Sequence, residues 1–480
     1  MPKRLIDLGD DENDCFCLLE NFERPCRYIA LSHSWQISIA YEARTLKANL
    51  EERKSSIDQK GLSKTFRDFF AIARWLKIPY VWIDTFCIIQ DSDKDWAEQA
   101  AVMGNIYEGA YVTVASHYEP SGSTEDGCFL HRDVLQEVPL VDAHSQPFSM
   151  FIKLPYNHVT NIESLMSRAW CVQERLLSAR ILHCRSSEMV FECFTETHCE
   201  CETLGFEVED DYELRVPEKD ISELFAASQQ EIDNREEPNE AQCWEHWQSI
   251  IALYTRSQLT QKTDRLPALS SLAQRMPRRI FGNYLAGIWT GDFHNQLLWS
   301  HNLNDHVLQP EEYVAPSFSW ASLYGGNTRW YDTVPKNAPG QRARILGMSA
   351  VPKTKDLMGS VKSGVIHMRL RMIEAKVTFI DKETSKIRLA YMCKTALLYD
   401  CSAEADAVNV RPFLVDKKVY LGEIISGAGF SKFLILVRMG SSSTFQRVGI
   451  GRFSREEGRA RKHMEHDAFH QCEEQTIDLV

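Results

Sequence analysis

"IPYVWIDTFCIIQDSDKDWAEQAAVMGNIYEGAYVTVAS", residues Ile78–Ser116, sets a short apolar run, a helix-length stretch and a second short apolar run in series. "YVWID" has the length and the aromatic and β-branched content of a strand, and Pro79 marks the exit from whatever precedes it. "DWAEQAAVMGNIYEGA" reads as a helix, with Asp93 or Asp95 near its start and Gly109 near its end. "YVTVAS" is strand-like again. Two strands joined through a helix need a crossover, so they are predicted to lie parallel in one sheet.

The same alternation extends outward. Upstream, "RYIALSHSW" is a short apolar strand, and "LSKTFRDFFAIARWLKI" follows with helical spacing. Leu62, Phe66, Phe69, Phe70, Ala73 and Leu76 share one face of that helix. Downstream, "HYEPSGSTEDGCF" is a loop of turn formers, "FSMFIKL" is β-like, and "SRAWCVQERLLSARILHC" is a helix leading into a strand, with "MVFEC" as another. The expected fold is therefore α/β with a mainly parallel sheet, in a domain of about residues 1–203. Residues 204–335 read as an acidic linker and a helical region, in which Trp244, Trp247, Ile251 and Tyr254 form a core-like stripe. Residues 336–480 read as a β-rich module, from "VIHMRLRM", "KVTFID", "KIRLAYM", "KFLILVRMG" and "FQRVGIGRF".

At 480 residues the chain exceeds one hydrophobic core, so several domains are expected. Its 44% hydrophobic and 25% charged residues suit a globular protein. A net charge of -13 repels phosphate backbones and disfavours nucleic acid binding through a basic surface. No apolar run has the length of a membrane span, and "MPKRLIDLGDDEND" lacks the apolar core of a signal peptide. Fourteen cysteines then read as reduced thiols, and the expected compartment is the cytoplasm.

Both "YIALSHSW" and "YVWIDTFCIIQ" end an apolar run on polar groups. In an open parallel sheet ligands sit beyond the carboxyl ends of the strands, so Ser32, His33 and Asp84 are expected to face a crevice. The plainer reading has Ser32 cap a turn and Asp84 open the next helix or accept backbone N–H groups. In "SRAWCVQERLL", Trp170 and Glu174 are four apart and share a helix face. Ser167 is the expected N-cap, which places Glu174 in an early turn. An aromatic able to stack on a base, beside an acid, suits a nucleotide pocket. The plainer reading pairs Glu174 with Arg168 or Arg180. Around "ECFTETHCEC", Cys193, His198, Cys199 and Cys201 lack two CxxC-like pairs, and adjacent ligands crowd a tetrahedral ion, so no metal is expected.

Taken together, "YIALSHSW", the Ile78–Ser116 stretch and "SRAWCVQERLLSARILHC" resemble the fungal heterokaryon incompatibility (HET) domain, in family order. "YTRSQLTQKTDRLPALSSLA", "YLAGIW", "LLW", "APSFSWASL" and "FQRVGIGRF" look like the region that often follows it. Gln36 departs from the Gly that many relatives carry after the tryptophan. The resemblance implies a role in non-self recognition and regulated cell death. It also implies a distant likeness to Toll/interleukin-receptor (TIR) domains, hence a TIR-like or flavodoxin-like sheet. "SRAWCVQERL" is similar to the TIR segment whose Glu is catalytic in NAD-cleaving members, which carries that role to Glu174.

The candidate substrate-binding set is Ser32, His33, Trp35, Asp84, Cys87 and Trp170, with NAD or a related nucleotide as substrate and no resident cofactor. Two further readings stay open. One is a non-enzymatic signalling module that self-associates, and the other a regulatory or biosynthetic-cluster protein that retains the fold.

Overall fold

The computed structural model describes residues 1–9, 16–22, 24–34, 43–117, 127–129, 135–142, 144, 146–153, 165–185, 188–200, 239–301, 307–330, 333–336, 338–380, 386–393, 396–399, 402–405, 418–427, 430–440, 443–454, 469 and 472–480. The chain divides into two compact units, Met1–Glu223 and Leu224–Val480. The expected helical region and β-rich module thus fall in one unit.

In the first unit the strands are β1 (Arg4–Asp7), β2 (Cys17–Glu20), β3 (Tyr28–His33), β4 (Tyr80–Trp82), β5 (Thr113–Ser116), β6 (Leu135–Val141), β7 (Pro147–Lys153), β8 (Arg180–Cys184), β9 (Met189–Cys193) and β10 (Thr197–Cys199). Eight of them form one sheet in the order β10-β9-β8-β5-β3-β4-β1-β2, while β6 and β7 pair as a separate ribbon. "YIALS", "YVWID" and "YVTVAS" do run parallel, β3 with both β4 and β5, and β5 with β8. The sheet as a whole is mixed rather than mainly parallel, because β1, β2, β9 and β10 join antiparallel at the two edges. The reason is connection length. The links from β8 to β9 and from β9 to β10 are only four and three residues long, too short for the crossover that a parallel return needs.

Among the described residues this unit has five helices: α1 (Leu50–Ser55), α2 (Lys64–Trp75), α3 (Asp84–Cys87), α4 (Asp93–Gly109) and α5 (Ala169–Leu177). Ser63 caps α2 by accepting the Phe66 N–H, and the helix buries Phe66, Phe69, Phe70, Ile72 and Ala73. From β3 the chain steps to β4 on one side, then crosses back past β3 to β5 and on to β8. Right-handed crossovers therefore place α2 on one face and α4 and α5 on the other. Consistent with this, α4 packs on α5. The strand order reverses between β3 and β5, both fully buried strands with polar residues at their carboxyl ends.

In the second unit, α6 (Glu240–Arg256) buries Trp244, Trp247, Ile251 and Tyr254. Trp247 meets Trp289 edge-on at 5.7 Å and Trp244 lies 4.4 Å from Phe281, so the stripe is core. The C-terminal half is a ten-stranded, largely antiparallel sheet. Its spine, Val361–Ile380, joins "VIHMRLRM" and "KVTFID" into one long strand.

Candidate functional site

Successive strand residues face opposite sides of a sheet, so Ser32 and His33 part company at the end of β3. Ser32 turns toward α5. Its hydroxyl donates to the Glu174 carboxylate, and its Oγ lies 3.8 Å from Cys171 Sγ. Cys171 and Glu174 are three apart on α5 and so project together. His33 turns toward α2 instead, edge-on to Phe66 at 5.4 Å, with its Nδ1 3.9 Å from Asp84 Oδ1. Ser32, His33 and Glu174 are all buried, and Asp84 is half-buried.

Asp84 takes the local role of its plainer reading. It opens α3, where Oδ1 accepts the Thr85 N–H at 2.6 Å, and its charge is also felt by Glu174 and His33. Ser167 does not cap α5. The helix starts at Ala169 with Arg168 at the N-cap and no capping side chain, so Glu174 lies in the second turn. A tertiary bond holds this end in place of a local cap, with the Arg168 guanidinium donating to the His33 carbonyl. At the other end, Ser178 donates to the Glu174 carbonyl at 2.7 Å and shares a 2.6 Å hydrogen bond with Thr113 of β5.

These contacts set the charges. Burial pushes the Glu174 carboxyl up, with help from Asp84, against the opposing pull of Arg168 and the Ser32 hydroxyl. Burial holds His33 below its ordinary value, so the ring is neutral. Arg168 loses hydration too, but Cys171, Glu174 and Asp84 more than restore its charge. Tyr107 on α4 closes the back of the group by donating to the Leu31 carbonyl at 3.2 Å. The result is a carboxylate, a hydroxyl and a guanidinium at the point where the strand order reverses. Such an arrangement can hold a polyhydroxylated or cationic group against a carboxylate.

Trp170 is half-buried and meets Trp96 of α4 edge-on at 6.2 Å, one turn before Glu174. Cys87 is packed into the core, and burial pushes its thiol up to about 12. Its carbonyl accepts from Arg4 at 2.9 Å. Trp35 and Gln36 lie outside the described residues, as does Cys201. In the Cys/His segment, His198 bonds Glu196 at 2.8 Å and Cys193 Sγ lies 3.3 Å from Thr195 Oγ1. Among the described residues no three His, Cys, Asp or Glu side chains are grouped to hold a metal ion.

Sequence reasoning passed over a second buried network on the α5 face. His117 Nε2 lies 2.9 Å from His183 Nδ1, and His183 Nε2 lies 2.8 Å from Glu192, which Arg175 of α5 grips at 2.9 Å and 3.0 Å. Two signals were available. His117 follows an apolar strand just as Ser32 and His33 end one, and Glu192 is an acid within the apolar run "MVFEC". The strand-anchoring role of Arg168 is likewise absent from the sequence pattern, which offers it only as an ion-pair partner.

Residues 28–174 match the family model described as Heterokaryon incompatibility protein (HET). They begin at Tyr28, the first residue of β3, and end at Glu174. This segment is a HET domain. Neither a curated protein nor a solved structure matches the chain. The HET match thus spans the three polar groups that converge at the carboxyl end of the sheet, while β8 to β10 and the second unit lie beyond it.

Proposed function

We propose that this protein acts in heterokaryon incompatibility, in non-self recognition leading to regulated cell death, and that its HET domain does so by cleaving NAD or a related nucleotide. The observation that carries the reading is the Ser32–Glu174 hydrogen bond at the strand-order reversal, with Arg168 and Asp84 beside it. The likeness of "SRAWCVQERL" to the TIR segment supplies the chemical role, and the position of Glu174 agrees with the carboxyl-end rule for open sheets.

In this reading the nicotinamide–ribose bond breaks with its electron pair leaving on the ring nitrogen, which discharges the pyridinium and needs no general acid. The ribose carbon gains oxocarbenium character, as in glycoside hydrolysis. Glu174 stabilises that charge, and Ser32 orients the carboxylate. Water then adds at the anomeric carbon and releases a proton. Glu174 is bonded to a neutral hydroxyl instead of being consumed in a tight ion pair, and the pull of Arg168 and Ser32 favours its charged form against the burial that raises its pKa.

The test is nicotinamide release from NAD by the purified full chain, beside Glu174→Gln. Release by the wild type and its loss in the variant support the reading. Equal release by both removes Glu174 from it. No release from either, at any concentration or oligomeric state, moves the function to a self-associating signalling module.

A further inference from the structure

The second unit contains a buried guanidinium, that of Arg265, with no carboxylate partner among the described residues. The antiparallel pair of strands Trp299–His301 and Thr328–Trp330 sets His301 directly opposite Thr328. Thr328 is fully buried and its Oγ1 has no hydrogen-bond partner among the described residues. His301 is 7% exposed, and no side chain among the described residues is within hydrogen-bond geometry of either ring nitrogen, the Asn327 backbone being a loose acceptor for its N–H. Gly326 leans on this imidazole, and a Cβ there would come within 2.9 Å of Nδ1.

Arg265 is 3% exposed, and its Nε and Nη2 also lack partners among the described residues. Helix α6 positions both sides of the cluster. Tyr254 donates to the Arg265 carbonyl at 2.6 Å, and the next residue, Thr255, accepts the Thr328 N–H at 2.9 Å. The guanidinium lies over the Trp320 ring at 5.7 Å. A second buried arginine, Arg447, stacks on Trp299 at 3.4 Å and donates to the carbonyls of Leu297 and Trp299. Both arginines act on His301 through charge. Burial, with that repulsion and against the pull of the Asn327 backbone, pushes His301 down to about 3, so the ring is neutral and brings no charge of its own.

Among the described residues no carboxylate pairs with Arg265 or His301. A guanidinium buried without a counter-charge costs several kcal/mol, and water can accept its hydrogen bonds without cancelling its charge. The open Nε–Nη2 edge is the edge that grips two oxygens of an oxyanion side by side. The Thr328 hydroxyl adds a donor from a separate element. A guanidinium fork and a hydroxyl together can grip three oxygens, which suits a tetrahedral anion better than a planar carboxylate.

We infer that the Leu224–Val480 unit binds a phosphate-class oxyanion between Arg265 and Thr328. The inference is independent of the chemistry proposed for the HET domain. The full chain, purified without phosphate or sulfate, is melted in chloride and then with inorganic phosphate, sulfate or ribose 5-phosphate at matched ionic strength. A second portion is denatured and assayed for released phosphate. The expected result is a saturable rise in Tm with phosphate and sulfate, or close to one phosphate released per chain.

A rise with ribose 5-phosphate alone also supports the site and identifies a phosphorylated ligand as its source. Arg265→Gln should abolish the rise, and Thr328→Val should move its midpoint about tenfold to higher phosphate, for the loss of one hydrogen bond to a charged group. Identical melts in every anion with no phosphate released would overturn the inference, since the donors would then be hydrated. A rise that persists unchanged in Arg265→Gln overturns it too, because the anion would bind elsewhere. If Arg265→Gln does not fold, Thr328→Val decides alone, and an unmoved midpoint sinks the proposal.

Discussion

Glu174 is asked to carry charge where the fold gives it little help. Its carboxyl is buried and pushed above the ordinary glutamate value by lost hydration, with Asp84 adding to the effect. A raised folded-state pKa means that Glu174 adds stability below its unfolded value, about 4.3, and that this contribution is lost as pH rises through the folded value. At pH 8 the wild type holds a desolvated charge that glutamine would not. Glu174→Gln is therefore expected to melt at the wild-type temperature or above it at pH 8, while nicotinamide release falls by at least about 100-fold, the usual scale for one preorganised electrostatic group. A structural carboxylate predicts the opposite pair: a clear fall in Tm, with activity falling only in proportion. The same shift places the acid limb of the activity profile above the usual glutamate range, which a rate measurement across pH 4–8 reads directly.

Between elements, the joint of α5 with β8 and β9 rests on Arg175, Glu192 and His183. Burial works to raise the Glu192 carboxyl, but Arg175 and His183 reverse this and hold it well below the ordinary range. Burial also lowers His183, against the pull of Glu192. Both signs point one way. His183 is kept neutral in the folded chain, so the unfolded chain takes up a proton first as pH drops below about 6.5, and Glu192 adds its own loss below about 4.3. The contribution of this network to the stability of the first unit should fall from pH 7 to pH 4, against the smaller gain from Glu174 alone. Glu192→Gln should flatten the lower part of that fall and cost about 3 kcal/mol at pH 7, the low end for breaking a buried pair, because Arg175 keeps some water. Urea titrations at each pH measure both. A flat wild-type profile over this range would show that the network does not control stability.

Over the whole molecule, the net charge of -13 sets the sign of long-range encounters. The full chain should show no retention on double-stranded DNA even at low salt, where a basic patch would bind most strongly, and a gel-shift titration checks this. No helix among the described residues is long and apolar enough to cross a membrane. Each unit is stabilised around its own aromatic-rich interior. Trp247 is fully buried against Phe281 and Trp289, and Trp247→Ala should cost about 3–5 kcal/mol in the second unit, read from the shift of its urea midpoint.

What the sequence determined by itself was periodic or local. The strand–helix–strand rhythm of Ile78–Ser116, the apolar face of α2 and the indole stripe of α6 follow from spacings of two and of three to four residues, which bury one face wherever the element ends up. The polar ends of "YIALSHSW" and "YVWID" were legible for the same reason: an apolar run that stops abruptly stops at the edge of a core. Only the tertiary structure could turn Ser32 toward Glu174 and His33 toward Asp84, because strand alternation divides neighbours between faces and the crossovers decide which helix covers each face. It also moved the start of α5 past Ser167, since a guanidinium bond from Arg168 to a strand more than a hundred residues away replaced the local cap. The antiparallel edges, the His117–His183–Glu192 chain and the uncompensated Arg265 share that origin. Each depends on which distant segments meet, and a one-dimensional pattern holds no record of a partner brought close by folding.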